Sequence, residues 1–350
     1  MKNEAPRILF VIKKGSYPYR ISYAESDLSR EGHSGLYWSS KFVADMLAEA
    51  GVAVKFVEVI DNTFIDHEIK QFHPTIVVIE ALWVVPEKFA ELQTLNPCVQ
   101  FVVLLHSETP FLADEPIAVR WLKAYADLGV TIAVNSVKML ADAKTVLELE
   151  GDTQKIVYLP DFYPVKPLGP LTGATEDCAI HIGCFGAIRP LKNQLIQAIA
   201  AIRFATRAGL RLKFHVNGLE VDAGGQPILD NLRELFVGTI HELIEDRWVD
   251  HKTFLESLKH IDFGMQVSFT ETFDIVAADM ISSGVPTVVS PEVVWASPGA
   301  FAPPTDGVVI AERLREVWKQ PVKAVEESHK GLRRFVEESK RLWLRFVCGE

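Results

Sequence analysis

Short runs of branched apolar residues recur through the first half of the chain: RILFVIKK, AVKFVEVI, TIVVIEAL, VQFVVLLH and TIAVN. Between them lie stretches such as LYWSSKFVADMLAEAG and PIAVRWLKAYADLG, whose apolar residues fall three and four apart. The runs are apolar almost throughout instead of alternating, which predicts parallel strands covered on both faces by amphipathic helices. After IVYLPDFYP the period is lost in VKPLGPLTGATED, a proline- and glycine-bearing stretch that reads as a linker. The alternation then resumes with CAIHIGCFG, a helix from about Asn193 to Ala208, RLKFHVNG, helices around LDNLRELF and HKTFLESLKH, IDFGMQV and TVVS. The expected architecture is α/β, with two Rossmann-like doubly wound domains, 1–165 and 166–328, facing a central cleft. Such sheets bind ligands outside the carboxyl ends of their strands. The last stretch, 329–350, reads as a helix with a stripe of Leu332, Phe335, Val336, Leu342, Trp343 and Phe346. It is expected to pack across the domains, and peripheral contact with an anionic membrane is the competing reading.

The 350 residues suffice for two domains, and both halves are acidic, with 16 Lys and Arg against 22 Asp and Glu up to Gly173 and 20 against 24 beyond it. A broad basic surface for duplex nucleic acid is therefore disfavoured. No apolar run approaches the length of a membrane span, so a soluble, cytoplasmic protein is expected. Cys98, Cys178, Cys184 and Cys348 lack CxxC spacing and read as reduced thiols, Cys178 and Cys184 sharing one face of a strand in the core. Neither GxGxxG nor GxxxxGK occurs, which argues against nicotinamide and P-loop chemistry. No Asp-x-Asp pair suggests a metal-held sugar nucleotide, and neither a metal nor a cofactor is expected.

Two stretches carry candidate chemistry. In SFTETFDIVAADMISSGVPTVVS, Glu271 stands at a turn after a strand and Asp279 lies eight positions on, two turns along the helix, so that both carboxylates are expected to face one crevice. Two such acids suit hydroxyls of one ligand. In FGAIRPLKN, Arg189 and Lys192 flank the start of a helix, where fixed cations and free amides suit a diphosphate. As a solvated turn, this loop is expected to carry little stability.

ETFDIVAADMISSGVP resembles the Glu, seven residues, Glu signature of retaining GT-B glycosyltransferases (family 4-like, glycosyl transferases group 1), with Asp279 in place of the second Glu and Asp274 where Gly is common. FGAIRPLKN is similar to that family's phosphate loop. The resemblance implies metal-independent transfer of a sugar, with retention, from a UDP- or GDP-type donor to a hydroxyl, expected to be a saccharide's. It implies that Arg189 and Lys192 neutralise the leaving diphosphate, Glu271 holds the donor sugar, and Thr272, Phe273 and Asp279 complete the donor site. His106, ending VQFVVLLH, stands where the family often has a His near the sugar. Asn135 and Ser136 echo the family's Val-Ser before a helix, which capping explains equally well. Trp248 or Val249 falls near the nucleobase, and Gly35 near a phosphate. The long first loop, with Tyr17, Tyr19, Arg20, Tyr23 and His33, suits acceptor recognition. Two other readings stay open: a sugar-nucleotide epimerase on the same scaffold, and a degenerate transferase that binds nucleotides without catalysis.

Overall fold

The computed structural model describes residues 5–14, 35–149, 155–171, 178–222 and 224–349. Tyr17, Tyr19, Arg20, Tyr23 and His33 lie outside the described residues. The chain divides into two compact units. The second is Val165–Phe335, and the last residues, Val336–Glu350, return to the first.

In the first unit, β1 (Arg7–Lys13), α1 (Gly35–Glu49), β2 (Ala53–Val59), α2 (Phe64–Phe72), β3 (Ile76–Glu80), α3 (Pro86–Leu95) and β4 (Gln100–Leu105) alternate. They continue with α4 (Thr109–Leu112), α5 (Ala118–Asp127), β5 (Thr131–Val134), α6 (Val137–Val146) and β6 (Ile156–Tyr158). All six strands are parallel, in the order β2-β1-β3-β4-β5-β6. Successive strand side chains point to opposite faces, so Leu9 and Val11 enter one core while Ile8 and Phe10 enter the other. That is why these runs are apolar throughout.

The second unit holds β7 (Ala179–Gly183), α7 (Gln194–Ala208), β8 (Arg211–Val216), α8 (Gln226–Phe236), β9 (Glu242–Glu245), α9 (His251–Ser257), β10 (Phe263–Gln266), α10 (Ile275–Ser282), β11 (Thr287–Val289) and α11 (Gly307–Lys319). α12 (Pro321–Cys348) starts here and ends in the first unit. The sheet order is β11-β10-β7-β8-β9, again parallel. From β7 the chain winds one way to β8 and β9, then crosses to β10 and β11 on the other side. The topological switch point thus lies between β7 and β10. Ile180, Ile182, Leu212, Phe214 and Val216 build the larger core with α7, α8 and α11.

Two details differ from the sequence reading. β8 alternates, with Lys213 and His215 half-buried on the face opposite Phe214. There His215 joins His181 at 3.0 Å and Asp246 at 2.9 Å, an internal polar chain. Cys184 is buried in the core, but Cys178 is exposed. It precedes β7 at φ +56, and that left-handed turn takes its side chain off the strand's register.

The C-terminal stripe is used inside the fold. Trp343 is fully buried in the first unit, its ring 5.9 Å from that of Phe10 and its indole N–H donating to Pro160 O at 2.9 Å. Leu332 and Val336 are also buried. No helix among the described residues is long and apolar enough to cross a membrane.

Candidate active site

The two motifs meet at the switch point of the second sheet. β7 runs into the 185–193 loop and β10 into the 267–274 loop, and the strands are neighbours, Phe263 beside Ile182 and Gly264 beside Gly183. Side chains tie the two loops together. Gln266 Nε2 donates to Phe185 O at 2.8 Å, and Asn193 Nδ2 donates to Val267 O at 2.9 Å and Pro304 O at 2.7 Å. Gln197 donates to Lys192 O and accepts from the Val267 amide, both at 2.8 Å. Asn193 takes a left-handed backbone, φ +59, where α7 begins. Arg189 follows Ile188, whose carbonyl lies so close to Gly225 that a Cβ there would approach it to 2.0 Å.

Lys192 does not sit on a solvated turn. It is 9% exposed, with Nζ 2.6 Å from Glu271 Oε1 and 3.3 Å from Asp274 Oδ2. The loop folds its ammonium inward, where the acids of the adjoining loop compensate the buried charge. Burial works against that ammonium, but Asp274 and Glu271 outweigh it and hold the pKa above the ordinary lysine value. Burial also works against ionised Glu271, yet Lys192 and then Arg189 depress its pKa. Asp274 is different. Burial and the Glu271 charge prevail over Lys192 and raise it to about 6. Its left-handed backbone, φ +61, places it as the N-cap of α10, where Oδ1 accepts from the Ala277 amide at 2.9 Å. Arg189 is more open, its side chain 30% exposed and 3.8 Å from Asp222.

Asp279 is 2% exposed and accepts from or is paired with His251 Nε2 at 2.8 Å. The expectation of two full helical turns between Glu271 and Asp279 fails because α10 starts only at Ile275. Glu271 stands in the preceding loop with Lys192, whereas Asp279 lies little more than one turn into the helix with its own partner. The Phe273 side chain is also unavailable to a ligand. It is 2% exposed and packs on Trp295 and Phe335. Thr272 is half-buried, as are Trp248 and Val249 between β9 and α9.

In the first unit, His106 follows β4 and is held between two acids. Its Nε2 lies 2.6 Å from Glu80 Oε2 and its Nδ1 lies 3.5 Å from Asp161 Oδ1. Burial disfavours the charged ring, but the bonds to Asp161 and Glu80 overcome it and raise the pKa to about 10. His106 is therefore an imidazolium at neutral pH. Asn135 Nδ2 donates to Asp161 Oδ2 at 2.6 Å, while Ser136 caps α6 by accepting from the Met139 amide at 3.0 Å. Gly35 is the first residue of α1. Sequence reasoning missed Glu80, Asp161, Asp222 and His251. An acid closing an otherwise apolar strand, as in IVVIE, is the one signal that pointed to Glu80.

No family model matches the chain, and no curated protein matches it. Solved structures do. A trehalose 6-phosphate synthase from Burkholderia multivorans has a TM-score of 0.64 at 11% identity, over 99% of this chain and 96% of that one. The fold is GT-B. The N-terminal domain of a Candida albicans trehalose-6-phosphate phosphatase is similar to the same extent, with a TM-score of 0.64 at 14% identity over 99% of this GT-B chain and 96% of that one. An E. coli trehalose-6-phosphate structure bound with UDP-2-fluoro glucose has a TM-score of 0.62 at 11% identity, covering 82% and 76%. At such identities the likeness establishes architecture: two parallel sheets, of six and five strands, flanked by helices.

Proposed function

We propose that this chain is a glycosyltransferase that moves a sugar from a nucleoside-diphosphate donor to an acceptor hydroxyl, with retention and without a metal. The observation that carries the reading is the meeting of Arg189, Lys192, Glu271 and the α10 amides at the switch point of the second sheet, where open α/β sheets take their ligands. The similar E. coli structure bound with UDP-2-fluoro glucose supports a nucleotide sugar as the ligand class. In this reading Arg189 and Lys192 stabilise charge that grows on the leaving diphosphate. Glu271 orients the donor sugar, and Asp279, held by His251, meets the ribose. Thr272, Phe273, Trp248 and Val249 complete the donor contacts of the second unit. The acceptor is a saccharide or other hydroxyl compound met by the first loop.

Calorimetric titration with UDP, GDP and ADP tests the donor site and identifies its base. Absence of binding to all three by folded protein refutes the reading. Proton NMR of the product linkage then decides the stereochemistry, and an inverted anomeric centre removes retention. Arg189→Lys, at a partly open position, should lower kcat without unfolding the protein, because a point charge cannot replace a bidentate guanidinium.

A second reading, a nucleotide-binding protein without turnover, is favoured by one observation. Two cations in the cradle face three acids, Asp222, Glu271 and Asp274. Binding without transfer to any of a panel of saccharide acceptors would select it. A third, epimerisation, predicts a new epimer when a nucleotide sugar is incubated without acceptor.

A further inference from the structure

The acid that departs most from the phosphate-binding pattern does not turn away from the site. Asp274 is 6% exposed as a residue, and its carboxyl occupies the two positions that a phosphate oxygen would seek. Oδ1 accepts from the Ala277 amide at the start of α10, and Oδ2 faces the Lys192 ammonium at 3.3 Å. We propose that Asp274 is a built-in competitor for the donor's phosphate, so that the diphosphate binds tightly only when this carboxyl has taken up a proton and ceded the amide and the ammonium. The proposal rests on the donor-site reading above and assigns that site its control.

The surroundings support such an exchange. The charged or titratable groups acting on Asp274 are Lys192 from the β7–α7 loop, Glu271 from its own loop and the Cys184 thiol at the end of β7. Arg189 acts on both Lys192 and Glu271. With Glu271 and Asp274 ionised, Lys192 is shared between two anions, and an incoming diphosphate adds further negative charge to a site with few counter-ions. Of the two acids, Glu271 is the one held ionised by Lys192 and Arg189, whereas Asp274 is raised to about 6. Protonation of Asp274 removes one like charge and frees Lys192 for the ligand. The carboxylic acid keeps a carbonyl oxygen that caps α10, more weakly than the carboxylate, until the phosphate displaces it, so the helix need not unravel when the proton arrives.

The experiment is calorimetry with UDP-glucose, GDP-glucose and ADP-glucose between pH 5 and 8, in two buffers of different ionisation enthalpy to count protons. The phosphodiester groups of these donors do not titrate in that range, so any proton taken up belongs to the protein. The wild type should bind about tenfold more weakly per pH unit above pH 6 and take up close to one proton at pH 7.5. Asp274→Asn, which can still cap the helix, should bind at least about tenfold more tightly than the wild type at pH 7.5, with no slope between pH 6 and 8. Melting curves confirm that both proteins are folded. Equal affinity and equal slope in the two proteins overturn the competitor while leaving the donor site standing, as does a slope that persists in Asp274→Asn. Absence of binding by both proteins to all three donors at every pH overturns the donor-site reading and the proposal with it.

Discussion

Lys192→Ala should destabilise the second unit far more at pH 7 than at pH 5. The ammonium is the shared partner of Glu271 and Asp274, whose side chains are 9% and 0% exposed. Once it is gone, each acid escapes an unpaired buried charge by binding a proton, and the cost of that proton limits the damage. A pH one unit above a group's native pKa makes protonation cost about 1.4 kcal/mol. For Asp274, at about 6, the cost at pH 7 is therefore about 1.4 kcal/mol. Glu271 is held below its ordinary carboxylate range by Lys192 and Arg189, so its cost at pH 7 is larger than that of Asp274. Together these approach the roughly 3–5 kcal/mol typical of breaking a buried ion pair. At pH 5 Asp274 is already protonated in the parent, and the Glu271 cost is smaller by about 2.7 kcal/mol, two pH units' worth. Loss of the lysine stem and relief of its desolvation apply at both pH values and cancel in the comparison. Urea unfolding of parent and variant at the two pH values should thus show a penalty about 3–4 kcal/mol larger at pH 7 than at pH 5. Lys192→Met, which keeps the stem, should show the same difference. A penalty that does not change with pH would refute the ion-pair account, and so would no penalty at pH 7.

Further expectations concern both units. Between pH 6.5 and 10 the native protein retains a proton on His106 that the unfolded chain has lost. This contribution is complete below pH 6.5 and disappears as pH rises through 10; His106→Gln should flatten the corresponding fall in unfolding free energy, by at most about 1.4 kcal/mol per pH unit. Trp343→Ala should cost the first unit about 3–5 kcal/mol in urea unfolding, through an unfilled core and the loss of one of the two hydrogen bonds to the Pro160 carbonyl, Ser339 keeping the other. Gly225→Ala should push Ile188 and the loop bearing Arg189 out of place, costing about 1–3 kcal/mol and weakening nucleotide binding in the same titration that defines the donor. Normal affinity in that variant would show that the loop's position is not critical.

Strands buried on both faces, such as β1, β3 and β4, are legible because nearly every position is apolar. β6 and β9 are not, having three and four residues at sheet edges, and β9 reads ELIE with an acid at each end. The phosphate-loop cations and Glu271 are legible because each motif is local and ends a strand. Their mutual distances are not, since Lys192 and Asp274 lie 82 positions apart and come together only through the crossover that sets β10 beside β7. His106 is legible as a strand-end residue, but its charge depends on Glu80, at the end of the neighbouring β3, and on Asp161, just after β6, which sheet order brings in from elsewhere. Local pattern reports which residues end strands. Sheet order decides which of those ends share a site.

On the transfer reading, a cradle already filled by its own acids changes what its cations contribute. A ground-state diphosphate gains little by replacing Glu271 and Asp274 at Lys192, because one anionic partner is exchanged for another. As the glycosidic bond breaks, negative charge accumulates on the leaving oxygen, and that oxygen becomes a stronger partner than either internal carboxylate. Internal acids therefore subtract from donor affinity more than from transition-state stabilisation, and only the latter accelerates the reaction. On the transfer reading, Arg189→Lys should reduce kcat more than it raises the donor KM, since much of the ground-state grip is given up to Asp222 and Glu271 before the donor arrives. Steady-state kinetics over a range of donor concentration separates the two effects. A rise in KM at unchanged kcat would mean that Arg189 serves binding alone.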